Sequence, residues 1–244
     1  IFEKTSSLLD SNIIVAKQSS KEITESIKKN ISKNKANKYF FNEDYNFVMK
    51  ENDFFYYEDK YGGLKIPKPS MKGQFQLENA STAIASLRVL ENLNIKDKHI
   101  INGVKKAYNS ARLEEIKSGK LKNLVRDNTL IVDSSHNPGG SKSLNEYLQT
   151  LNCNKHVIIG MMENKDHEKF ISYFKDISSL TVIDIPNQVN AISGKKLKEK
   201  FKNFSNLSFS ENIEQALKDL RLNQNDIVII TGSIYLTGEV LNLN

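Results

Sequence analysis

The second half of the chain alternates short apolar runs with segments of helical periodicity, and this alternation limits the possible folds more than any other feature. From Arg112 onwards the apolar runs are LIVDSS, HVIIGMM, LTVIDIP, LSFSE and DIVIITGS, and a segment typical of a helix follows each. Strands that alternate with helices form a parallel sheet, because each helix packs back onto the sheet between two parallel strands. We therefore predict an α/β fold with a mostly parallel sheet and helices on both faces.

The residues before Arg112 show a different rhythm. NIIVAKQ predicts a short strand, and a helix follows in which isoleucines recur every four residues. Aromatic and polar residues then alternate from Tyr39 to Ser70, which is typical of strands joined by turns. The change of rhythm places a domain boundary near Ser110, so the predicted domains are residues 1–110 and 111–244.

Two helices are predicted between the aromatic segment and the boundary. In LENASTAIASLRVLENLN one helical face is formed by Ala80, Ala83, Leu87 and Leu90, and this spacing predicts a helix. A second helix is predicted from about Asp97 to Tyr108.

Composition and charge exclude several classes of protein. The net charge is +6, but the lysines are spread along the chain and alternate with acidic residues, so the sequence does not favour a nucleic-acid partner. No apolar run approaches the roughly 18 to 20 residues that span a bilayer, so no membrane partner is expected. The single cysteine, Cys153, cannot form an intrachain disulfide. We expect a cytoplasmic monomer.

The stretch LIVDSSHNPGG raises the question of a catalytic triad or a metal site. Asp133, Ser134, Ser135 and His136 are neighbours in sequence, and neighbours on a strand or turn point in different directions. A working triad usually takes its members from separate elements, and the Gly-x-Ser-x-Gly elbow is missing. The four histidines and Cys153 show no zinc-ligand spacing. Neither a hydrolase nor a zinc protein is favoured.

The position of this stretch indicates a ligand-binding edge instead. Asp133 comes at the carboxyl end of a predicted parallel strand, where α/β sheets bind ligands. A carboxylate there can accept hydrogen bonds from ribose hydroxyls, and the amides of the following turn can face an anion. Ser141 is a candidate cap for the next helix. On local grounds alone, it is equally possible that Asp133 only caps that helix.

Five segments together resemble one known family. GQFQLENASTAIASL is similar to Gly-x-His-Gln-x-x-Asn-Ala, ARLEEI to Gly-Arg-Leu-Glu, and VDSSHNPGG to Asp-Gly-Ala-His-Asn-Pro. GMMENKD is similar to Gly-Met-x-x-Asp-Lys-Asp, and TGSIYLTGEV to Thr-Gly-Ser-x-Tyr-x-x-Gly-Glu. Their order and spacing resemble those of the folylpolyglutamate synthase/dihydrofolate synthase family, a branch of the Mur-ligase-like ATP-dependent amide ligases. The resemblance runs over nearly the whole chain.

The resemblance implies a fold and an activity. It implies that residues 1–110 are the tail of a Mur-ligase-type central ATPase domain and that residues 111–244 are a C-terminal, Rossmann-like α/β domain. The implied reaction joins L-glutamate to dihydropteroate, to folyl(poly)glutamate, or to both, through an acyl phosphate. ATP and Mg²⁺ are the implied cofactors. The expected partners are therefore small molecules.

The resemblance also implies site residues. Asn79 would hydrogen-bond the adenine, Arg112 would reach the phosphates from the domain hinge, and Asp133 would bind the ribose. Lys4 aligns with a family lysine that is often carbamylated, and His136 would line the cleft near the phosphates or the incoming glutamate. Lys4 and His136 are thus the catalytic candidates, and no metal ligand is assigned.

Each of these residues also has a structural interpretation. Asn79 could be a helix N-cap, Arg112 could pair with Glu114 or Glu115 on the surface, and His136 could be an ordinary turn residue. The sequence also departs from the family pattern, since Ala111 stands where a Gly precedes the Arg.

The phosphate-binding loop Gly-x-x-x-x-Gly-Lys-Ser/Thr does not occur in these residues. The family carries it near its N-terminus, so the chain resembles the C-terminal portion of the ligase and is predicted to have no ligase activity alone. Two alternatives stay open. One is a Mur-type peptidoglycan-precursor ligase, against which the ending TGSIYLTGE argues; the other is a non-catalytic α/β nucleotide-binding module.

Overall fold

The computed structural model describes residues 11–50, 52–90 and 92–244, and it divides the chain into two compact units. Unit 1 runs up to Ser70 and continues over Gln74–Tyr108. Unit 2 consists of Met71–Gly73 and Asn109–Asn244.

Unit 1 contains five strands and three helices among its described residues. A parallel pair is formed by β1 and β2, and an antiparallel sheet has the order β3-β4-β5. The elements are β1 (Ile13–Val15), α1 (Lys21–Ile31), β2 (Lys38–Phe40), β3 (Tyr45–Met49), β4 (Phe54–Asp59), β5 (Gly62–Pro67), α2 (Phe75–Arg88) and α3 (Asp97–Lys106). The predicted strand, the β-rich segment and the three predicted helices are confirmed.

The buried face of α2 is not the apolar face whose spacing predicts the helix. Ala83, Leu87 and Leu90 are exposed, whereas Leu77, Ser81, Ile84 and Ala85 are buried. The buried positions are spaced by four, three and one residues, so they also form one helical stripe. Leu77, Ile84 and Ala85 pack in a cluster with β4 and β5. Two apolar stripes thus compete on this helix, and the contact with the sheet selects between them.

Unit 2 is built around one six-stranded sheet of order β10-β9-β8-β11-β7-β6. Its elements are β6 (Glu114–Ile116), α4 (Lys120–Leu124), β7 (Thr129–Val132), α5 (Pro138–Gln149), β8 (Lys155–Ile159), α6 (His167–Ile171), β9 (Ser179–Ile183), α7 (Gly194–Lys200), β10 (Leu207–Ser210), α8 (Ile213–Asp219), β11 (Ile227–Thr231) and α9 (Ile234–Leu243). The five predicted strands are present, and they pair in parallel. The antiparallel edge strand β6 was not predicted, because three residues are too few to show a periodicity.

Helices cover both faces of this sheet, as the alternation predicts. Alternate sheet residues such as Leu130, Ile158 and Val228 form one cluster with α4, α8 and α9. The intervening residues, among them Ile131 and Val157, are equally buried on the opposite face. Right-handed connections from β7 through β10 place α5, α6 and α7 on that second face. The α/β prediction with a mostly parallel sheet is confirmed.

The order of the strands fixes where a ligand can bind. β11 lies between β7 and β8, and the helix that follows β11 packs on the opposite face from the helices that follow its two neighbours. Connections that diverge in this way open a crevice at the carboxyl ends of the strands. The carboxyl ends of β7, β11 and β8 are therefore the expected ligand-binding edge.

The first turn of α5 corrects one local prediction. Asn137, not Ser141, caps this helix: its Oδ1 accepts from the Gly140 amide at 2.9 Å. Ser141 lies one turn further on, is fully buried, and donates its hydroxyl to the carbonyl oxygen of Phe170. Pro138 occupies the first helical position, where a missing N–H costs nothing, and this moves the cap to the residue before it.

Within the described residues, no helix is long and apolar enough to cross a membrane.

Candidate functional site

A cavity of about 530 Å³ opens at the carboxyl ends of the three central strands of unit 2. Each of these strands contributes its following loop: His136 comes after β7, Met162–Lys165 after β8, and Ser233–Tyr235 after β11. Asn190, from the loop after β9, completes the lining. The cavity thus lies where the strand order predicts a ligand site, and all its lining residues belong to unit 2.

Hydrogen bonds between neighbouring loops give this cavity its shape. Met162 pairs with Ala191 in an isolated antiparallel bridge, and the Glu163 amide donates to the carbonyl of Asn190 at 2.9 Å. His167 is buried and bonds through Nε2 to the carbonyl of Met162 at 2.9 Å. The loops after β8 and β9 are therefore tied together before any ligand binds.

His136 is half-buried in the cavity wall, and its surroundings fix its tautomer. Its Nδ1 lies 3.0 Å from the carbonyl oxygen of Ser134, which can only accept a hydrogen bond. In the neutral ring Nδ1 therefore carries the proton, and Nε2 is left as an acceptor.

The remaining lining groups suit a small zwitterionic ligand. Lys165 offers a cation, while Asn164 and Asn190 offer amide donors. The ten-residue helix α9 begins at the cavity, and the partial positive charge of its N-terminus also favours an anion. Glu163 is the one acid among the lining residues and can pair with an amine.

Arg112 lies in a strained turn on the same unit. Its neighbours Ala111 and Leu113 have φ values of 54° and 49°, in the left-handed region, and both are buried. A left-handed non-Gly residue costs roughly 1–2 kcal/mol. The Gly that the family carries before this Arg would remove the cost at position 111, which explains why Gly suits that position.

In the described part of the chain, the guanidinium of Arg112 pairs with no acidic side chain. Glu115 pairs with Lys72, at 2.6 Å between Nζ and Oε2, and Glu114 accepts from the Ala111 amide at 2.7 Å. Arg112 is half-buried and has no ion-pair partner within residues 11–50, 52–90 and 92–244. The surface pairing considered from the sequence is therefore not what the structure shows.

Asp133 is buried at the end of β7, with 2% of its surface exposed. Its Oδ2 accepts from the Leu113 amide and its Oδ1 from the Ser135 amide, each at 3.0 Å. It does not cap α5, a position that Asn137 takes. The structure therefore brings Asp133 and the Arg112 turn together in unit 2, at the edge that also carries His136.

The remaining two predicted site residues are Asn79 and Lys4. Asn79 belongs to unit 1, where it is exposed in the second turn of α2 and donates from Nδ2 to Gln76 Oε1 at 3.1 Å. Because α2 begins at Phe75, the alternative that Asn79 is an N-cap is wrong. Lys4 lies outside the described residues.

Over 11–50, 52–90 and 92–244 there is no group of three or more His, Cys, Asp or Glu side chains that could hold a metal ion.

Sequence reasoning missed most of the cavity. Lys165 lies within the segment GMMENKD, and Ser233 and Tyr235 within TGSIYLTGEV, yet only His136 was named as a candidate. One signal could have found the others: each follows directly after a strand of the parallel sheet, and the carboxyl ends of such strands meet at one edge. Asn190 had no such signal, because it depends on the pairing of two loops.

Comparisons with known proteins agree with this architecture. A family profile described as "Mur ligase, glutamate ligase domain" matches residues 111–234. No curated protein matches the sequence. Among solved structures, Mycobacterium tuberculosis folylpolyglutamate synthase complexed with ADP and AMPPCP is 17% identical, with a TM-score of 0.80 over 99% of this chain and 58% of that chain.

Two further structures are similar. E. coli FolC in complex with DHPP and ADP is 21% identical, with a TM-score of 0.79 over 99% of this chain and 55% of that chain. A bifunctional folylpolyglutamate synthase/dihydrofolate synthase from Yersinia pestis, complexed with AMPPNP and a Mn ion, is 20% identical, with a TM-score of 0.79 and the same coverage. At these identities the likeness shows the fold. The chain spans 55% to 58% of the length of these structures.

Proposed function

Because the chain belongs to the Mur ligase, glutamate ligase domain family, we propose that it is part of an ATP-dependent ligase that joins L-glutamate to dihydropteroate or to folyl(poly)glutamate. In the proposed reaction a carboxylate oxygen of the acyl substrate attacks the γ-phosphorus of ATP, and ADP leaves. The amino group of glutamate then attacks the acyl carbon of the acyl phosphate. The C–N bond forms, the C–O bond to phosphate breaks, and the amine loses a proton.

The observation that carries this proposal is the cavity at the carboxyl ends of β7, β11 and β8. Glutamate has two carboxylates and one ammonium group, and the cavity offers Lys165, the asparagine amides and the N-terminus of α9 for the former and Glu163 for the latter. Nε2 of His136 is an acceptor in the neutral ring and can take a proton from the amine before it attacks. His136 is thus the proposed catalytic residue of this unit.

The nucleotide-side roles are proposed on the resemblance of their motifs. Asn79 is proposed to bind the adenine, Arg112 the phosphates and Asp133 the ribose. The half-buried guanidinium of Arg112 has no ion-pair partner among the residues that the structure describes. This supports its role, because a forked and permanently charged group suits a phosphate chain. Lys4 stays a candidate on the sequence alone. ATP and Mg²⁺ as cofactors, the cytoplasmic location and the monomeric state likewise remain proposals.

The amino-acid site is tested by isothermal titration of the 244-residue chain with L-glutamate. Lys165→Ala is expected to weaken binding at least tenfold, because a charge-assisted bond to a carboxylate is lost. Lys169→Ala is the matched control, since Lys169 is exposed on the next helix and does not line the cavity. Absence of glutamate binding by the wild-type chain, or equal affinity in both variants, contradicts the proposal.

The substrate class is tested by turnover of the native gene product that contains this chain. Activity with dihydropteroate or a folate supports the proposal. Activity only with a UDP-linked muramoyl peptide supports the peptidoglycan-precursor ligase instead. A product that binds nucleotide without turnover supports the non-catalytic module.

A further inference from the structure

The segment Asp133–Ser135 holds the Arg112 turn in place. Leu113, which follows Arg112, donates its amide to Asp133 Oδ2 at 3.0 Å. Ala111, which precedes it, accepts at its carbonyl oxygen from both the amide and the hydroxyl of Ser134, at 2.8 and 3.0 Å. The two left-handed residues of the turn are therefore each bonded to the end of β7.

The same segment is anchored on its other side. The carbonyl oxygen of Ser135 accepts from the Gly232 amide at 2.9 Å and from the Thr231 hydroxyl at 3.3 Å. The Asp133 amide donates to the carbonyl of Ile230 at 2.9 Å. Since Ile230 and Thr231 belong to β11 at the centre of the sheet, the segment is a rigid base for the Arg112 turn.

We propose that Asp133 is a positioning residue. Its buried carboxylate keeps the Arg112 turn left-handed and so places the guanidinium for an anion, independently of any contact between Asp133 and a ribose. Without this bond the turn can relax to an unstrained conformation, and binding must then restore the strain. The inference rests on the proposed function only in taking a phosphate chain as the anion.

Inorganic tripolyphosphate is the probe, because it has neither ribose nor base. Asp133→Asn keeps the shape of the side chain but leaves one neutral acceptor oxygen for the amides of Leu113 and Ser135, so it removes one of the two bonds and the negative charge that strengthens both. By isothermal titration of the 244-residue chain, we expect this variant to bind tripolyphosphate about tenfold more weakly than wild type, and ATP more weakly by at least the same factor. If only ATP binding weakens, Asp133 acts through the ribose and the proposal is overturned.

Asp226→Asn is the matched control for loss of stability. Asp226 is also 2% exposed and also accepts from a backbone amide, but it lies at the amino-terminal end of β11. We expect its tripolyphosphate affinity to equal that of wild type. An equal loss in both variants would mean that Asp133 acts only through general stability.

The double variant with Arg112→Lys separates positioning from direct binding. If Asp133 acts through Arg112, removing both should weaken tripolyphosphate binding little more than Arg112→Lys alone. Losses that multiply instead would overturn the proposal. If Asp133→Asn does not fold, Asp133→Ser, which retains a hydroxyl acceptor, replaces it in both titrations.

Hydrogen exchange of the Leu113 amide tests the hydrogen bond between Leu113 and Asp133 without any ligand. We expect this amide to exchange at least tenfold faster in Asp133→Asn, and in the Asp226→Asn control at the wild-type rate. Unchanged protection overturns the positioning role. A different outcome is faster exchange in Asp133→Asn together with no tripolyphosphate binding by the wild-type chain. That result would refute the phosphate-binding part of the proposed function, while Asp133 would still be shown to hold the Arg112 turn.

Discussion

At the scale of single residues, the turn from β11 into α9 requires glycine at position 232 for two reasons. Its φ of +106° lies where side chains are strained, and a Cβ there would come within 2.6 Å of the carbonyl oxygen of Gly160. This turn delivers Ser233 and Tyr235 to the cavity. The conformation of this turn, and with it the lining of the cavity, therefore depends on the absence of a Cβ atom at position 232.

We predict that Gly232→Ala destabilises the chain by more than about 2 kcal/mol, because strain and overpacking add at a buried position. Gly238→Ala is the control: it lies in α9 with nothing within 4 Å of a new Cβ, and it should stabilise by about 0.5–1 kcal/mol. Urea unfolding measures both. If the two variants changed the free energy of unfolding equally, or if Gly232→Ala left it unchanged, position 232 would not require glycine.

A buried row of polar residues lies at the opposite, amino-terminal edge of the same sheet. Ser179 Oγ is 2.8 Å from His156 Nδ1, and His156 Nε2 is 3.2 Å from Asp226 Oδ2. Burial of Asp226 would by itself raise the pKa of its carboxyl. The Asn223 amide, the Asn154 side chain and His156 outweigh that effect, so the pKa lies below the usual value.

This lowered pKa predicts how stability depends on pH. A carboxyl with a lower pKa in the folded state stabilises the fold above its unfolded pKa of about 3.9, and the contribution is lost as the pH falls through the folded value. Asp226→Asn should therefore lower the free energy of unfolding at pH 7, and the gap from wild type should narrow below about pH 4. Asp127→Asn, an exposed residue, is the control and should leave the curve unchanged. A gap that is constant with pH would refute the electrostatic cause.

At the scale of elements, α2 shows how packing selects one face of a helix. Ile84 is 1% exposed and Leu87 is 36% exposed, although the sequence pattern gives Leu87 the more central place on an apolar stripe. The stripe with Leu77, Ile84 and Ala85 is buried in one cluster with side chains of β4 and β5, and of the other stripe Ala80 packs against that cluster while Leu87 does not. The burial of a side chain, and not the spacing of apolar residues in the sequence, therefore determines how much each residue contributes to stability.

Substitutions at Ile84 and Leu87 test directly which face of α2 is buried. Ile84→Ala should destabilise by about 2–5 kcal/mol, because it removes buried methyl groups and leaves a cavity. Leu87→Ala should cost less than about 1 kcal/mol, since the side chain is already partly in water. Thermal or urea unfolding of the two variants measures both losses of stability. A larger loss for Leu87→Ala than for Ile84→Ala would mean that the face with Leu87 is the buried one.

At the scale of the whole molecule, the candidate amino-acid site and the core beneath it come from one unit. Every residue that lines the cavity follows Asn109, and so do all six strands of the sheet. Of the three earlier residues that join unit 2, Lys72 contributes an ion pair with Glu115 whose side chains are more than a third exposed. An exposed pair of this kind contributes about 1 kcal/mol or less.

We therefore predict that residues 109–244 fold alone and retain glutamate binding. Denaturant unfolding should be cooperative, with a free energy of unfolding within about 1–2 kcal/mol of that of unit 2 in the full chain. Titration should give the same glutamate affinity for residues 109–244 as for the full chain. A non-cooperative transition, or loss of binding in the shorter chain, would show that unit 2 depends on the rest of the molecule.

Several features of the fold could be predicted because the signals are local. The apolar runs and their following helices define β7 to β11, since burial on both faces requires short stretches without polar residues. The caps are less secure: Ser141 was predicted, but Pro138 shifts the helix start so that Asn137 takes the cap. Of the residues that line the candidate cavity, the motifs singled out only His136.

What the sequence determined by itself is the α/β alternation, which follows from the short-range periodicity of apolar side chains. The tertiary structure alone decided which strands are neighbours, and hence that the loops after β7, β8 and β11 share one cavity. It also decided that Asp133 faces the amide of Leu113, twenty positions earlier in the chain. Such contacts depend on the path of the backbone through space, and no periodicity along the chain encodes that path.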